Sequence, residues 1–174
     1  MNLRLFKYTH GYEYTIGSDF VRASVLLDEI RENLKDYPIG YLKSKANDER
    51  YPDSMAKRLA AYNSQAYDEI FSLEIDDDLE ISDRRISSIK DDVDHYFSEN
   101  DPYDDENREF TKHLCLYFSL IAEKPLHPVG SDAGRDQVYF KEGDYYCRDR
   151  IKYLNDKQSL CRHCVCKKAG YFIF

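Results

Sequence analysis

Residues 20–34 read FVRASVLLDEIRENL. Within them Phe20, Ala23, Leu27, Ile30 and Leu34 recur at spacings of 3, 4, 3 and 4. That spacing puts them on one face of an α-helix. Ser18 stands where an N-cap hydroxyl is favoured, and Tyr37-Pro38 should close the helix, because a residue before proline disfavours the α region. The pattern repeats further along the chain. Pro52 suits the first turn of a second helix, whose apolar face runs Met55, Leu59, Tyr62, Ala66, Ile70 and Leu73. After the acidic run EIDDDLE at 74–80, Ser82 reads as an N-cap and Ile86, Ile89, Val93 and Phe97 mark a third helix. Phe110, Leu114, Tyr117 and Ile121 mark a fourth, with acidic residues near its N-terminus as the macrodipole favours. Four apolar stripes cannot be buried separately, so the expected fold is mainly α, a bundle of about four helices. Ahead of it, Tyr12, Tyr14 and Ile16 alternate as in a short strand.

The pattern changes after Glu123. Pro125, Pro128, Gly130 and Gly134 mark an irregular connection. QVYF and YYC then flank KEGD, which reads as a β-hairpin around a glycine-containing turn. The expected division is a helical body over 1–123 and a Cys/His-rich tail over 124–174. No twenty-residue linker separates them, so the tail should pack on the body.

The chain has 174 residues, 42% of them hydrophobic and 33% charged, within the globular range. No run approaches the ~20 apolar residues of a membrane span, and MNLRLFKYTHGYEY lacks the apolar core of a signal peptide. A cytoplasmic protein is expected. From Lys141 onward there are eight basic and four acidic residues, so this segment carries +4 and residues 1–140 carry −12 of the net −8. An acidic body of that size argues against nucleic acid as a partner.

The five cysteines are Cys115, Cys147, Cys161, Cys164 and Cys166, four of them within the last 28 residues. An odd count with no leader argues against a disulfide framework. In a reducing compartment such clustering reads as metal binding. Cys161-Arg162-His163-Cys164 can turn two sulfurs to one ion, and Cys147 ends the proposed hairpin, where a ligand is held firmly. A tetrahedron needs a fourth donor. The candidates, in order, are His127, stiffened between Pro125 and Pro128, then Cys166, Cys115 and His163. Cys115, on the fourth helix, reads as a buried structural thiol. Three thiolates, one neutral imidazole and Zn²⁺ sum to −1, which Arg148, Arg162, Lys167 and Lys168 can offset.

Other chemistries have weaker support. A dithiol redox pair needs a strand–CxxC–helix setting, and nothing before Cys161 supplies it. An iron–sulfur cluster would use the three cysteines and Cys115 or Cys166. Asp76, Asp77 and Asp78 read as a solvated loop rather than a hard-cation site. His113 and Cys115 are two apart on a helix and do not share a face, and His10 and His95 have no partner signal. No phosphate-binding, dinucleotide-binding or nucleophile-elbow motif is present. Tyr139, Tyr145, Tyr146 and Tyr153 could stack a flat ligand, but such residues more often fill a small core that lacks bulk.

Three pieces of the tail carry a resemblance: residues 123–130 (EKPLHPVG), 143–147 (GDYYC) and 160–164 (LCRHC). With their spacing they resemble an uncharacterised archaeal protein family, best known from methanogens, of unknown function. The likeness is strongest over residues 117–168 and looser over the body, where Asp36-Tyr37-Pro38-Ile39-Gly40-Tyr41 fits best. The chain departs from the family at Ser131-Asp132-Ala133-Gly134-Arg135, at Arg148 and at Cys166. The resemblance implies that Cys147, Cys161, Cys164 and His127 belong to one site, and it implies no activity. The expectation is a structural Zn²⁺ site in a binding module for a protein partner. An iron–sulfur redox protein, or a metal-dependent enzyme with an open coordination position, is the alternative.

Overall fold

The computed structural model describes residues 19–50, 54–76, 79–130, 137–156 and 158–169. Over these the chain is mainly helical, with two small sheets. A strand β1 (Phe20–Arg22) leads into α1 (Ala23–Leu34), α2 (Gly40–Ala46) and α3 (Met55–Ser72). A second strand β2 (Glu80–Ser82) precedes α4 (Asp83–Asn100) and α5 (Asp105–Leu116), which runs on into a π-helical turn (Tyr117–Ile121). The C-terminal part holds β3 (Val138–Lys141), β4 (Asp144–Cys147), α6 (Arg150–Tyr153), a 3₁₀ turn (Leu160–His163) and β5 (Lys167–Lys168).

The first helix starts later than its apolar spacing suggests. Phe20 lies in β1 and is 50% exposed. β1 pairs antiparallel with β2, Val21 opposite Ile81. The pairing supplies acceptors that an N-cap side chain would otherwise provide: Ala23 N–H donates to the Leu79 carbonyl at 2.8 Å and Asp83 N–H to the Asp19 carbonyl at 2.9 Å. Ser82 therefore sits at the N-cap position of α4 without a side-chain cap bond. The stretch after Asp78 is thus half of a clasp that starts α1 and α4 side by side. At α3 the cap is Ser54, whose hydroxyl accepts from Lys57 N–H at 3.1 Å. Ser18, Pro52, His10, Asp77, Asp78 and the alternating Tyr12–Ile16 stretch lie outside the described residues.

α1 and α4 bury most of the stripes that their sequences announce, whereas on α3 only Ala66 and Ile70 of the expected face are buried and Met55 is exposed. Leu27, Ile30 and Leu34 of α1 are buried, as are Ile86, Ile89, Val93 and Phe97 of α4. α5 goes further. Phe110, His113, Leu114, Cys115 and Leu116 are all buried, and the π turn adds Tyr117 and Phe118. The first turn of α5 stays charged and exposed while residues 113–116 are buried all round, and the helix packs against α1, α3 and α4. The expectation of about four helices undercounts, since α2 and α6 are also present. α2 buries none of its residues fully, and only its half-buried Leu42 packs against the core, too little for a periodic face to be read. It is held to α3 in part by Lys43 and Asp68, 2.8 Å apart.

Two measurements test this core. Ile70 on α3 is fully buried, so Ile70→Ala should cost about 2–5 kcal/mol. The expected readout is a lower urea midpoint with an unchanged slope. The second concerns His113, which is 2% exposed and donates from Nδ1 to the Glu109 carbonyl at 2.7 Å. Burial pulls its pKa below the usual value, with the Glu109 bond and charge opposing. The unfolded chain therefore binds a proton that the folded chain resists. Stability should be full above pH ~6.5 and fall as pH drops below it. His113→Gln should flatten that slope between pH 7 and 5.5, measured by denaturation at each pH.

Candidate metal centre

The β3–β4 hairpin turns through Glu142 and Gly143, whose φ angles are 52° and 88°. Left-handed backbone at both positions is the geometry of a tight hairpin turn, and glycine adopts it without a steric penalty. Register follows from the turn: Tyr139 faces Tyr146 and Val138 faces Cys147. Tyr139 and Tyr146 stack with ring centres 5.4 Å apart, and Phe140 and Tyr145 meet at 5.0 Å. These aromatics are cross-strand pairs that stabilise the hairpin. β5 adds in parallel to β4, with Cys147 opposite Lys168. Cys147 is thus held at the end of a strand paired on both sides.

The second cysteine element is shaped by its own backbone. Ser159 Oγ accepts from Cys161 N–H at 3.2 Å, and Cys164 N–H donates to the Cys161 carbonyl at 3.2 Å. The intervening 3₁₀ turn brings Cys161 and Cys164 to one side. Together with Cys147 and His127 they line a single cavity of about 210 Å³, which Arg150 also lines. The four residues singled out in the sequence therefore border one cavity. As they stand, no three His, Cys, Asp or Glu among the described residues form an arrangement that could hold a metal ion.

The electrostatics around the sulfurs are uneven. Burial raises the Cys147 thiol pKa, but N–H groups of Asp149 and Arg150 donate to it and pull the other way. The Cys164 thiol pKa is lowered, first by a hydrogen bond from the Cys166 thiol, then by N–H groups of Cys166 and Leu126 and by the Arg150 charge, against burial. Cys166, 1% exposed, is raised correspondingly. Backbone donors aimed at a sulfur favour its thiolate, the form that binds metals. His127 is exposed as a residue, yet protein atoms packed round its ring lower its pKa and favour the neutral imidazole. Cys115 is buried on α5 and its thiol is pushed up to about 12, mainly by burial and secondarily by Cys164. It is the inert structural thiol the sequence suggests. His163 faces away from this cavity and places Nε2 2.6 Å from Asp92 Oδ2. Burial lowers its pKa more than Asp92 raises it.

Two residues with no sequence signal organise this region. Arg150 Nη1 donates to the carbonyls of both Cys164 and Cys166. Asp92, one acid among several on α4, takes Arg162 Nη2 on Oδ1 and His163 on Oδ2. Nothing in the local sequence distinguishes either residue, because each acts on a segment many positions away. Residues 124–130 are tied down as well. Tyr62 OH donates to the Pro125 carbonyl at 2.8 Å, Arg58 Nη1 to the Gly130 carbonyl at 2.7 Å, and Lys124 pairs with Glu69 at 2.6 Å.

A family described as an uncharacterised protein conserved in archaea, DUF2115, matches residues 28–169. The UPF0305 protein MJ0646 of Methanocaldococcus jannaschii is 25% identical over 159 residues, covering 84% of this chain and 96% of that protein. No solved structure matches. No helix among the described residues is long and apolar enough to cross a membrane.

The Asp92 side chain is only 15% exposed. Asp92→Asn should remove a charge-assisted pair and leave Arg162 without its counter-charge. The expected loss is about 2 kcal/mol. Limited proteolysis should then cut within residues 158–169 sooner than in the wild type.

Proposed function

This chain belongs to the archaeal family DUF2115, proteins of no established activity, and from that premise we propose that Cys147, Cys161, Cys164 and His127 bind one Zn²⁺. The ion clips residues 124–174 onto the helical body of 1–123, and the assembled surface serves as a binding module for a protein partner. One observation carries this reading: the four donors line one cavity while backbone N–H groups are directed at two of the sulfurs. Three sulfurs and a neutral imidazole are a donor set that suits Zn²⁺, with Zn–S near 2.3 Å and Zn–N near 2.0–2.1 Å. Drawing them to those distances takes side-chain closure onto the ion, as expected where metal binding and ordering are linked. Arg150 and Arg162 offset the net charge of −1. Three thiolates make the ion electron-rich and weaken it as a Lewis acid, which favours a structural role over a catalytic one. The thiols must stay reduced, as in a cytoplasm.

A second reading rests on Cys166, buried and hydrogen-bonded to Cys164. With Cys166 in place of His127 the donor set is four thiolates, which an iron–sulfur cluster can use.

Elemental analysis and a visible spectrum of anaerobically purified protein separate the two readings. The expected result is one zinc per chain, a colourless sample, and at least tenfold weaker metal retention against a chelator in Cys161→Ser and His127→Ala, with Cys166→Ser close to wild type. Iron with sulfide and broad visible absorption would establish the cluster instead. A folded, metal-free wild type that takes up no zinc would refute both.

A further inference from the structure

A second cavity, of about 350 Å³, opens on the other side of Arg150 and Cys164. Its walls carry Arg84, Arg85 and Ser88 of α4 and Arg150, Arg162 and His163 of the C-terminal part, over Ile89. No Asp or Glu among the described residues lines it. Helical spacing explains the α4 side: Arg84, Ser88 and Asp92 are four apart and form one stripe. Asp92, at the far end of that stripe, binds Arg162 and His163 and so fixes the opposite wall. Arg150 is held by the Cys164 and Cys166 carbonyls through Nη1 alone, and no carboxylate among the described residues pairs with it. Arg84 and Arg85 are exposed and make no ion pair with any described residue. Four guanidinium groups against the Asp92 carboxylate and the −1 of the proposed zinc site leave a local charge of +2 in a protein of net −8. Unpaired like charges held together are costly unless an anion joins them.

We propose that this cavity is a binding site for the phosphate group of a small phosphorylated molecule, with Arg84 and Arg85 as the recruiting donors and Ser88, Arg150 and Arg162 completing the cradle. Guanidinium forks match phosphate oxygens in pairs, which is why arginine rather than lysine suits such a site. The cavity's size fits a phosphate with a compact organic group. Its surroundings select against a long polyanion: Asp83 adjoins Arg84 at the start of α4, and residues 1–140 carry −12. The site is independent of the metal ligands in its variable residues, since neither Arg84 nor Arg85 is one.

Calorimetric titration of the full chain, with its metal as purified, tests the proposal. The probes are inorganic phosphate and glycerol 3-phosphate, with chloride at matched ionic strength as the control. Saturable one-to-one binding is expected in the wild type. It should weaken at least about tenfold in Arg84→Gln/Arg85→Gln, with an unchanged circular dichroism spectrum and metal content. Ser88→Glu, which puts a carboxylate into the cradle, should lose binding to a similar extent and serves if the double variant misfolds. Tighter binding of glycerol 3-phosphate assigns the organic ester as the natural class, and equal binding assigns phosphate itself. No saturable binding in the wild type, or equal affinity in wild type and variants, overturns the proposal. So does a single-stranded oligonucleotide that binds more tightly than either probe and is released steeply by salt.

Discussion

Arg150 grips the carbonyls of Cys164 and Cys166, and the rest of the C-terminal structure depends on that grip. It stands at the start of α6, just after the strand that ends in Cys147, and reaches across to the segment that carries the other cysteines. One guanidinium thereby adds to the β4–β5 pairing that joins these two stretches of chain. It also puts a positive charge beside the Cys164 sulfur and contributes a wall to each of two neighbouring cavities. Asp92 performs the complementary task from the body side by holding Arg162 and His163. The helical core is stabilised by apolar burial; the C-terminal part is joined to it by Leu126 and Leu160, which pack on that core, and by charge-assisted hydrogen bonds. Such bonds contribute only ~1.5–3 kcal/mol each. A segment held in this way gains much from one metal ion, whose binding to a small module is worth ~10–16 kcal/mol.

The parts of this architecture that were legible in the sequence are those governed by a local period. Ile86, Ile89, Val93 and Phe97 are spaced for one helix face, and all four are buried. KEGD was readable as a hairpin turn because glycine at position 143 supplies a positive φ. His127, Cys147, Cys161 and Cys164 border one cavity, and the residue types and spacing that single them out are chemical signals in the sequence itself.

What could not be read depends on distant partners. The start of α1 is displaced to Ala23 because β1 pairs with β2 some sixty residues away, and the helical spacing of Phe20 gives no hint of it. α2 meets the core through Leu42 alone, so periodicity has almost nothing to detect. β5 consists of two lysines whose strand character comes only from its pairing with β4. Arg58, Asp92 and Arg150 look like ordinary surface charges until the chain brings a carbonyl or an opposite charge to each. The arginine-lined cavity shares that origin. Arg84 and Arg85 come from one helix, Arg150 and Arg162 from another region, and no linear motif links them.

The central claim is that one ion joins the cysteine-bearing segments to His127. X-ray absorption at the zinc edge on the anaerobically purified full chain tests it most directly. A first shell of three sulfurs near 2.3 Å and one nitrogen near 2.0–2.1 Å is expected, with the nitrogen lost in His127→Ala. A shell of oxygen and nitrogen alone, or protein that stays folded and binds no zinc, would contradict it.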